Sequence, residues 1–179
     1  KTAALFSLMH EIGIEPNAMM MHNDEQPLRS ENEDLSGLLN QAAYLFDKGA
    51  VSYQCTYLGP AIGTRDIEEA VEARTLYKSV AGDAIPQAFF DGNHVVASRH
   101  TDPGKRQMNV IRAYATFYNP LNFLRVLMSL GRDKLAPKRL LFQIIGQIGI
   151  VMTAPKLFRW SRKIRRGPIE YWDGLQPAR

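Results

Sequence analysis

Residues 49–64, GAVSYQCTYLGPAIGT, constrain the fold more than any other stretch of this chain. Residues 51–57 are rich in β-formers and read as a strand. A helical pattern stops at Gly49 just before them. Leu58-Gly59-Pro60 and Gly63-Thr64 break the chain just after, and another helical pattern begins near Arg65. Helix, strand, Gly/Pro-rich loop and helix together punctuate one β/α unit. Chemistry in such units gathers on the loops at the carboxyl ends of the strands, so residues 57–64 are expected on the rim of any site.

Taken in order, residues 2–12 carry Leu5, Leu8, Met9 and Ile12 at helical spacing, with Gly13 as the stop. Residues 14–21 read as a strand, and the run Ala18-Met19-Met20-Met21 suits one covered on both faces in a parallel sheet. Residues 22–34, HNDEQPLRSENED, are polar and too long for a plain connection. Asp34 is expected to cap a helix over 35–48 that buries Leu38, Leu39, Ala42, Leu45 and Phe46. Residues 14–57 then form a βαβ crossover whose two strands are parallel neighbours. An acidic helix is expected over 65–79, with Glu68, Glu69 and Glu72 as a solvated face. Asp91-Gly92-Asn93 between two extended runs is a hairpin signal, and the hairpin serves as a flap over a site mouth or as a simple edge ribbon.

From Asp102 the chain becomes helical. Asp102-Pro103 opens a helix to about Tyr118, Asn119-Pro120 breaks it, and a second covers 121–130. After the basic turn 131–137 a helix holds the apolar run LLFQIIGQIGIVMTA (140–154). Pro155 is expected to interrupt it before a basic helix over 156–166, and the tail from Gly167 is expected to be irregular. The apolar run is shorter than the roughly 20 residues that span a bilayer and contains Gln143 and Gln147, so it reads as a packed helix or one lying in a membrane interface.

Charge is partitioned. Residues 1–98 hold 6 Lys/Arg against 14 Asp/Glu, a net of −8, and residues 99–179 hold 16 against 4, a net of +12. A basic half calls for something anionic: membrane phosphates, nucleic acid or an acidic partner domain. The segment KLFRWSRKIRR interleaves Leu157, Phe158, Trp160 and Ile164 with Lys156, Arg159, Arg162, Lys163, Arg165 and Arg166, and Arg139 lies upstream. That mixture suits anionic lipid headgroups, and no nucleic-acid partner is expected. The alternative is a solvated amphipathic helix on the protein's own surface.

Chemistry-bearing residues are sparse. The single cysteine, Cys55, excludes an internal disulfide and is either a small buried hydrophobe or a thiol facing the site. There is no Gly-rich phosphate loop, no nucleophile elbow and no Cys/His zinc spacing. No catalytic residue and no metal ligand can be named. Of His10, His22, His94 and His100, only His22 and His94 are expected near a site mouth. The chain opens on Lys1, directly in a helical pattern and with no signal-peptide pattern, and is expected to be a piece of a longer polypeptide.

Three further stretches carry a family resemblance: Asn17-Ala18-Met19-Met20-Met21-His22, the loop Leu58-Gly59-Pro60-Ala61-Ile62-Gly63-Thr64, and residues 91–125, DGNHVVASRHTDPGKRQMNVIRAYATFYNPLNFLR. Over most of residues 1–130 the chain resembles the C-terminal part of cobalamin-dependent radical S-adenosylmethionine enzymes, most closely the hopanoid C-3 methylase-like members. The resemblance implies an α/β fold: a partial TIM-like barrel of late β/α units (1–81), a hairpin or flap (82–100) and a basic helical accessory region (101–179). It implies S-adenosylmethionine beside a 4Fe–4S cluster, with cobalamin supplied by an N-terminal region. By position it makes Met20, Met21, His22, Tyr57 and Leu58 candidates for the adenosyl part of the cofactor. The family's Cys-X3-Cys-X2-Cys motif is absent, and one cysteine cannot hold a cluster. The chain alone is therefore expected to be an inactive fragment of an enzyme methylating a lipid-like substrate, cytoplasmic or peripheral at the inner face of the membrane. The alternative is a non-catalytic membrane-surface or partner-binding module.

Overall fold

The computed structural model describes residues 2–32 and 34–174. The chain is mixed α/β, with a two-stranded and a three-stranded sheet among the described residues and no TIM barrel displayed by them. It divides into two compact units. Lys1–Met20, Gln26–Cys55 and Ile111–Ala154 make the first; Met21–Glu25, Thr56–Val110 and Pro155–Arg179 make the second.

The expected crossover is present. Helix α1 (Thr2–Glu11) precedes strand β1 (Asn17–His22), helix α2 (Leu38–Asp47) and strand β2 (Ser52–Tyr57). β1 and β2 are sheet neighbours. Val51 N donates to Pro16 O at 2.8 Å and Leu58 N to His22 O at 2.9 Å, so partners advance in the same direction along both strands and the pairing is parallel. α2 starts later than its polar prelude suggests. Asp34 accepts from Ser36 N at 2.8 Å and so caps a turn, and Gly37 is the N-cap. Leu38, Ala42, Leu45 and Phe46 are buried as expected.

The first unit packs helix α5 (Asn109–Phe117, from Ile111 onward), helix α6 (Pro120–Leu127) and the opening turns of helix α7 (Ala136–Arg166) around Phe46, Tyr53, Phe117 and Val126. Phe117 stacks on Tyr53 at 5.2 Å and meets Phe46 edge-on at 5.6 Å. Its carbonyl, at the end of α5, accepts from Asn122 Nδ2 and Gln143 Nε2, both at 3.0 Å, which satisfies an orphan helix-end acceptor. Asn119 caps α6 by accepting from Asn122 N at 2.9 Å.

The outer edge of β2 is closed without a strand. Tyr118, one turn beyond Tyr114, donates to Tyr53 O at 2.9 Å and accepts from Tyr53 N at 2.7 Å. Tyr114 does the same at Cys55, with 3.1 Å to both O and N. Two phenol hydroxyls thus occupy the donor and acceptor positions that a third strand would fill. In the second unit Tyr57 N continues the series by donating to Gly92 O at 2.7 Å.

The second unit holds helix α3 (Arg65–Glu72), strands β3 (Tyr77–Val80) and β4 (Asp83–Ala84), helix α4 (Pro103–Arg106), the last turns of α7 and strand β5 (Ile169–Tyr171). β3 is central and antiparallel to both neighbours. Four expectations are corrected here. The acidic helix stops at Glu72, because Arg74 turns the chain at φ +50° and the β-formers after it make β3. Its glutamates are exposed, as expected.

The hairpin is not at residues 87–98. It joins β3 to β4 through Ala81 and Gly82, with φ of +52° and +81°, the two-residue turn that matches strand twist. At Asp91-Gly92 the Asp91 carboxylate instead accepts from Asn93 N at 2.8 Å and His94 N at 3.2 Å, a local Asx turn after a short 3-10 turn at Gln87–Phe89. Pro155 lies inside α7 without ending it. Of the tail expected to be irregular, 169–171 form β5 and 175–179 fall outside the described residues.

Candidate functional site at the carboxyl ends of the parallel strands

The carboxyl ends of β1 and β2 feed a buried polar cluster in the second unit. Arg106, at the end of α4, is its centre, with a side chain only 2% exposed. Asp102 caps that helix by accepting from Lys105 N at 2.7 Å, and Pro103 opens it, so sequence-local chemistry aims Arg106 inward. Arg106 Nε lies 2.8 Å from Asp24 Oδ1. The N–H does not line up as a hydrogen bond, so the pairing is Coulombic. One terminal nitrogen donates to His22 O at 3.2 Å, and the guanidinium lies over the Tyr57 ring at 4.8 Å. Burial pushes the guanidinium pKa down, and the Asp24 carboxylate opposes that shift.

The surrounding groups complete the cluster. Tyr57 Oη donates to Arg106 O at 2.7 Å. Asp24 also accepts from Ser98 Oγ at 2.7 Å and Arg99 N at 2.9 Å. Asn109 Nδ2 lies 3.0 Å from His22 Nε2, within hydrogen-bond reach. Tyr77, fully buried, is close enough to Asp24, Arg106 and Ser98 to respond to all three, and burial drives its pKa well up. Its hydroxyl has no well-aligned hydrogen bond among the described residues.

The five sequence candidates separate. His22 and Tyr57 are buried and come together, with ring centroids 5.9 Å apart. Their polar atoms are committed to Asn109 and Arg106. Met21 and Leu58 are more than half exposed, while Met20 is half-buried. Met20 and Met21 face opposite sides of β1 and cannot line one pocket together. His94 is held by Asp91 at 2.9 Å and stacks on Phe89. Burial works to raise the Asp91 carboxyl, but hydrogen bonds from His94 and Asn93 outweigh it and hold the pKa low.

A 4Fe–4S cluster does not fit the described residues. Cys55 is fully buried, its thiol pushed up to about 11 by burial, and no three His, Cys, Asp or Glu converge among the described residues. Sequence reasoning missed Asp24, Arg106 and Asn109. The available signals were an acid in the polar loop and a basic residue one turn after an Asp-Pro cap. Comparison with known proteins returned no matching family model, no matching curated protein and no matching solved structure.

Proposed function

We propose that this chain is the C-terminal part of a cobalamin-dependent radical S-adenosylmethionine enzyme, acting at a membrane surface on a lipid-like substrate such as a hopanoid. The sequence resemblance supports the enzyme half of the reading. So does a parallel βαβ crossover with the candidate positions at its carboxyl ends, as in the late units of a partial TIM-like barrel. Cluster and cobalamin belong to regions outside this chain, and an adenosyl group would lie against Met21 and Leu58.

The observation that carries the membrane half is the exposed stripe on α7. Leu141, Ile144, Ile145, Ile148, Val151 and Met152 are between 47% and 73% exposed. Their spacing confines them to a stripe about 120° wide. α7 is the one described helix long and apolar enough to cross a membrane. Its opposite face is engaged in the first unit: Gln143 is hydrogen-bonded to Phe117 O, and a Cβ at Gly146 would come within 2.3 Å of the Tyr118 ring. A helix with one face packed and one apolar face open suits the plane of an interface better than a span. Burying half of each of six such side chains is worth on the order of 5–8 kcal/mol. Nearby basic residues add about 1 kcal/mol each on an anionic surface. α6 repeats the pattern with Leu121, Leu124 and Leu127 exposed.

Vesicle flotation tests this. The chain is expected to float with phosphatidylglycerol vesicles at low salt, less so at high salt or with Arg162, Lys163, Arg165 and Arg166 changed to Gln. A chain that stays soluble on anionic and neutral vesicles alike refutes the membrane half. The stripe equally favours a second reading, a non-catalytic membrane-surface module. A three-cysteine motif upstream in the longer polypeptide, and loss of S-adenosylmethionine binding in its Met21→Glu variant, would decide for the enzyme.

A further inference from the structure

We propose that the second unit carries a binding site for a phosphate ester attached to an apolar chain. Two depressions beside the last turns of α7 and the β3–β4 turn build it. The first, about 630 Å³, is walled by Phe89, Trp160, Pro86 and Ala88 and rimmed by Lys156, Arg159 and Lys163. Phe89 is clamped between His94, stacked at 4.0 Å, and Trp160, edge-on at 5.0 Å. Trp160 in turn donates to Val95 O at 3.1 Å, so the aromatic wall is preformed.

The second depression, about 360 Å³, is lined by Arg159, Arg162, Lys163 and Arg166 with Ala81 and Gly167, and no carboxylate lies in its lining among the described residues. A Cβ at Gly167 would come 2.2 Å from Ala81 Cβ, so glycine lets the chain pass tightly beneath the cations. Arg159 and Lys163 belong to both linings, which makes one ligand able to use both.

Charge decides the polar end. Among the described residues Asp83 is the single acid in the first lining, and it pairs with Lys163. Among the described residues Arg159, Arg162 and Arg166 have no ion pair, although Arg165 beside them pairs with Asp102. The helix dipole accounts for cations in the last turn of α7. It does not account for an aromatic-walled cavity opening next to them. Planar guanidinium forks suit phosphate oxygens, and the aromatic wall suits an aliphatic or isoprenoid chain.

Naming a membrane lipid as the carrier would rest on the membrane reading above; the site itself is tested without a membrane. Calorimetric titration of the chain would use monomeric dodecyl phosphate, dodecyl maltoside as an uncharged head on the same chain, and inorganic phosphate as a head without a chain. Dodecyl phosphate is expected to saturate at one per chain and to bind at least tenfold more tightly than either control. Arg162→Gln with Arg166→Gln is expected to weaken it about tenfold or more. Ala88→Trp, which fills the cavity from an exposed position and spares the core, is expected to weaken it similarly. Equal binding of the maltoside, equal binding of inorganic phosphate, or indifference to either variant in a folded protein would each overturn the proposal.

Phosphatidylglycerol vesicles that displace dodecyl phosphate identify a lipid headgroup as the source. Vesicles that leave it bound identify a soluble ester, and either result supports the site. Flotation that fails while dodecyl phosphate binds removes the membrane reading alone, and the converse removes this site alone.

Discussion

Replacing Tyr118 by Phe removes one oxygen and tests how the edge of β2 is closed. The ring stays in place, packed edge-on to Phe117 at 4.7 Å and against Gly146, so the variant leaves almost no cavity. What is lost is the partner of both the N–H and the C=O of Tyr53, a residue only 3% exposed. Each stranded group costs roughly 1–3 kcal/mol, so Tyr118→Phe should destabilise by about 2–5 kcal/mol. Tyr114→Phe is the internal control. It strands the same two groups of Cys55, which is itself fully buried, but its contacts are longer, at 3.1 Å, so the cost should fall at the low end of that range, about 2 kcal/mol. Burial pushes Tyr118 up to about 12, so the hydroxyl stays protonated throughout an assay at neutral pH. Urea unfolding should show a lower midpoint at unchanged slope, and hydrogen exchange should show the Tyr53 amide deprotected first. Losses below about 0.5 kcal/mol at both positions, with Tyr53 exchange unaltered, would mean that the phenols do not close the strand edge.

Asp24→Asn should destabilise by about 3 kcal/mol, because the neutral amide leaves the buried Arg106 cation without its counter-charge; Arg106→Met should cost less, since Asp24 can turn toward water; thermal melts of both rank them. Stability should fall as pH rises from 9 toward 11. The unfolded Cys55 thiol ionises first and the folded one is held to about 11, so the unfolded state binds fewer protons in that window; a Cys55→Ala variant should lessen the slope in pH-dependent urea titrations, most of all below pH 10, above which the buried tyrosines, also raised, supply the rest. Ile148→Glu, on the open stripe of α7, should abolish flotation with vesicles while leaving the circular dichroism spectrum unchanged.

The crossover was legible because its signals are local: Gly13 and Gly49 stop helices, and Leu58-Gly59-Pro60 ends the strand. Asp102 was legible as a cap for the same reason, and it accepts from the third residue on; Asn119, read only as a break, turns out to cap α6 in the same way. Errors arose where one local pattern serves two geometries. Asp91-Gly92 suits a hairpin or an Asx turn, and the choice was made by the Asp91 carboxylate. The actual hairpin turns through Ala81-Gly82, where alanine at positive φ hides the signal. Pro155 sits inside α7 because packing on both sides of it holds a helix that propensity would break. The Asp24–Arg106 pair joins residues 82 apart in sequence, beyond the reach of any periodicity. His22 and Tyr57 were found only as occupants of strand ends.

The tyrosine seal also makes the β1–β2 sheet directional. With one flank closed by side chains, recruitment of further strands is confined to the far side of β1, where no strand lies among the described residues. Since His22 O faces β2, alternation turns the backbone of Asn17, Met19 and Met21 outward on that side. The rim there is short, uncharged and rich in methionine, with none of the lysines or prolines that discourage illicit pairing. Growth of the sheet is therefore one-way: any strand added to it joins along β1 and never along β2.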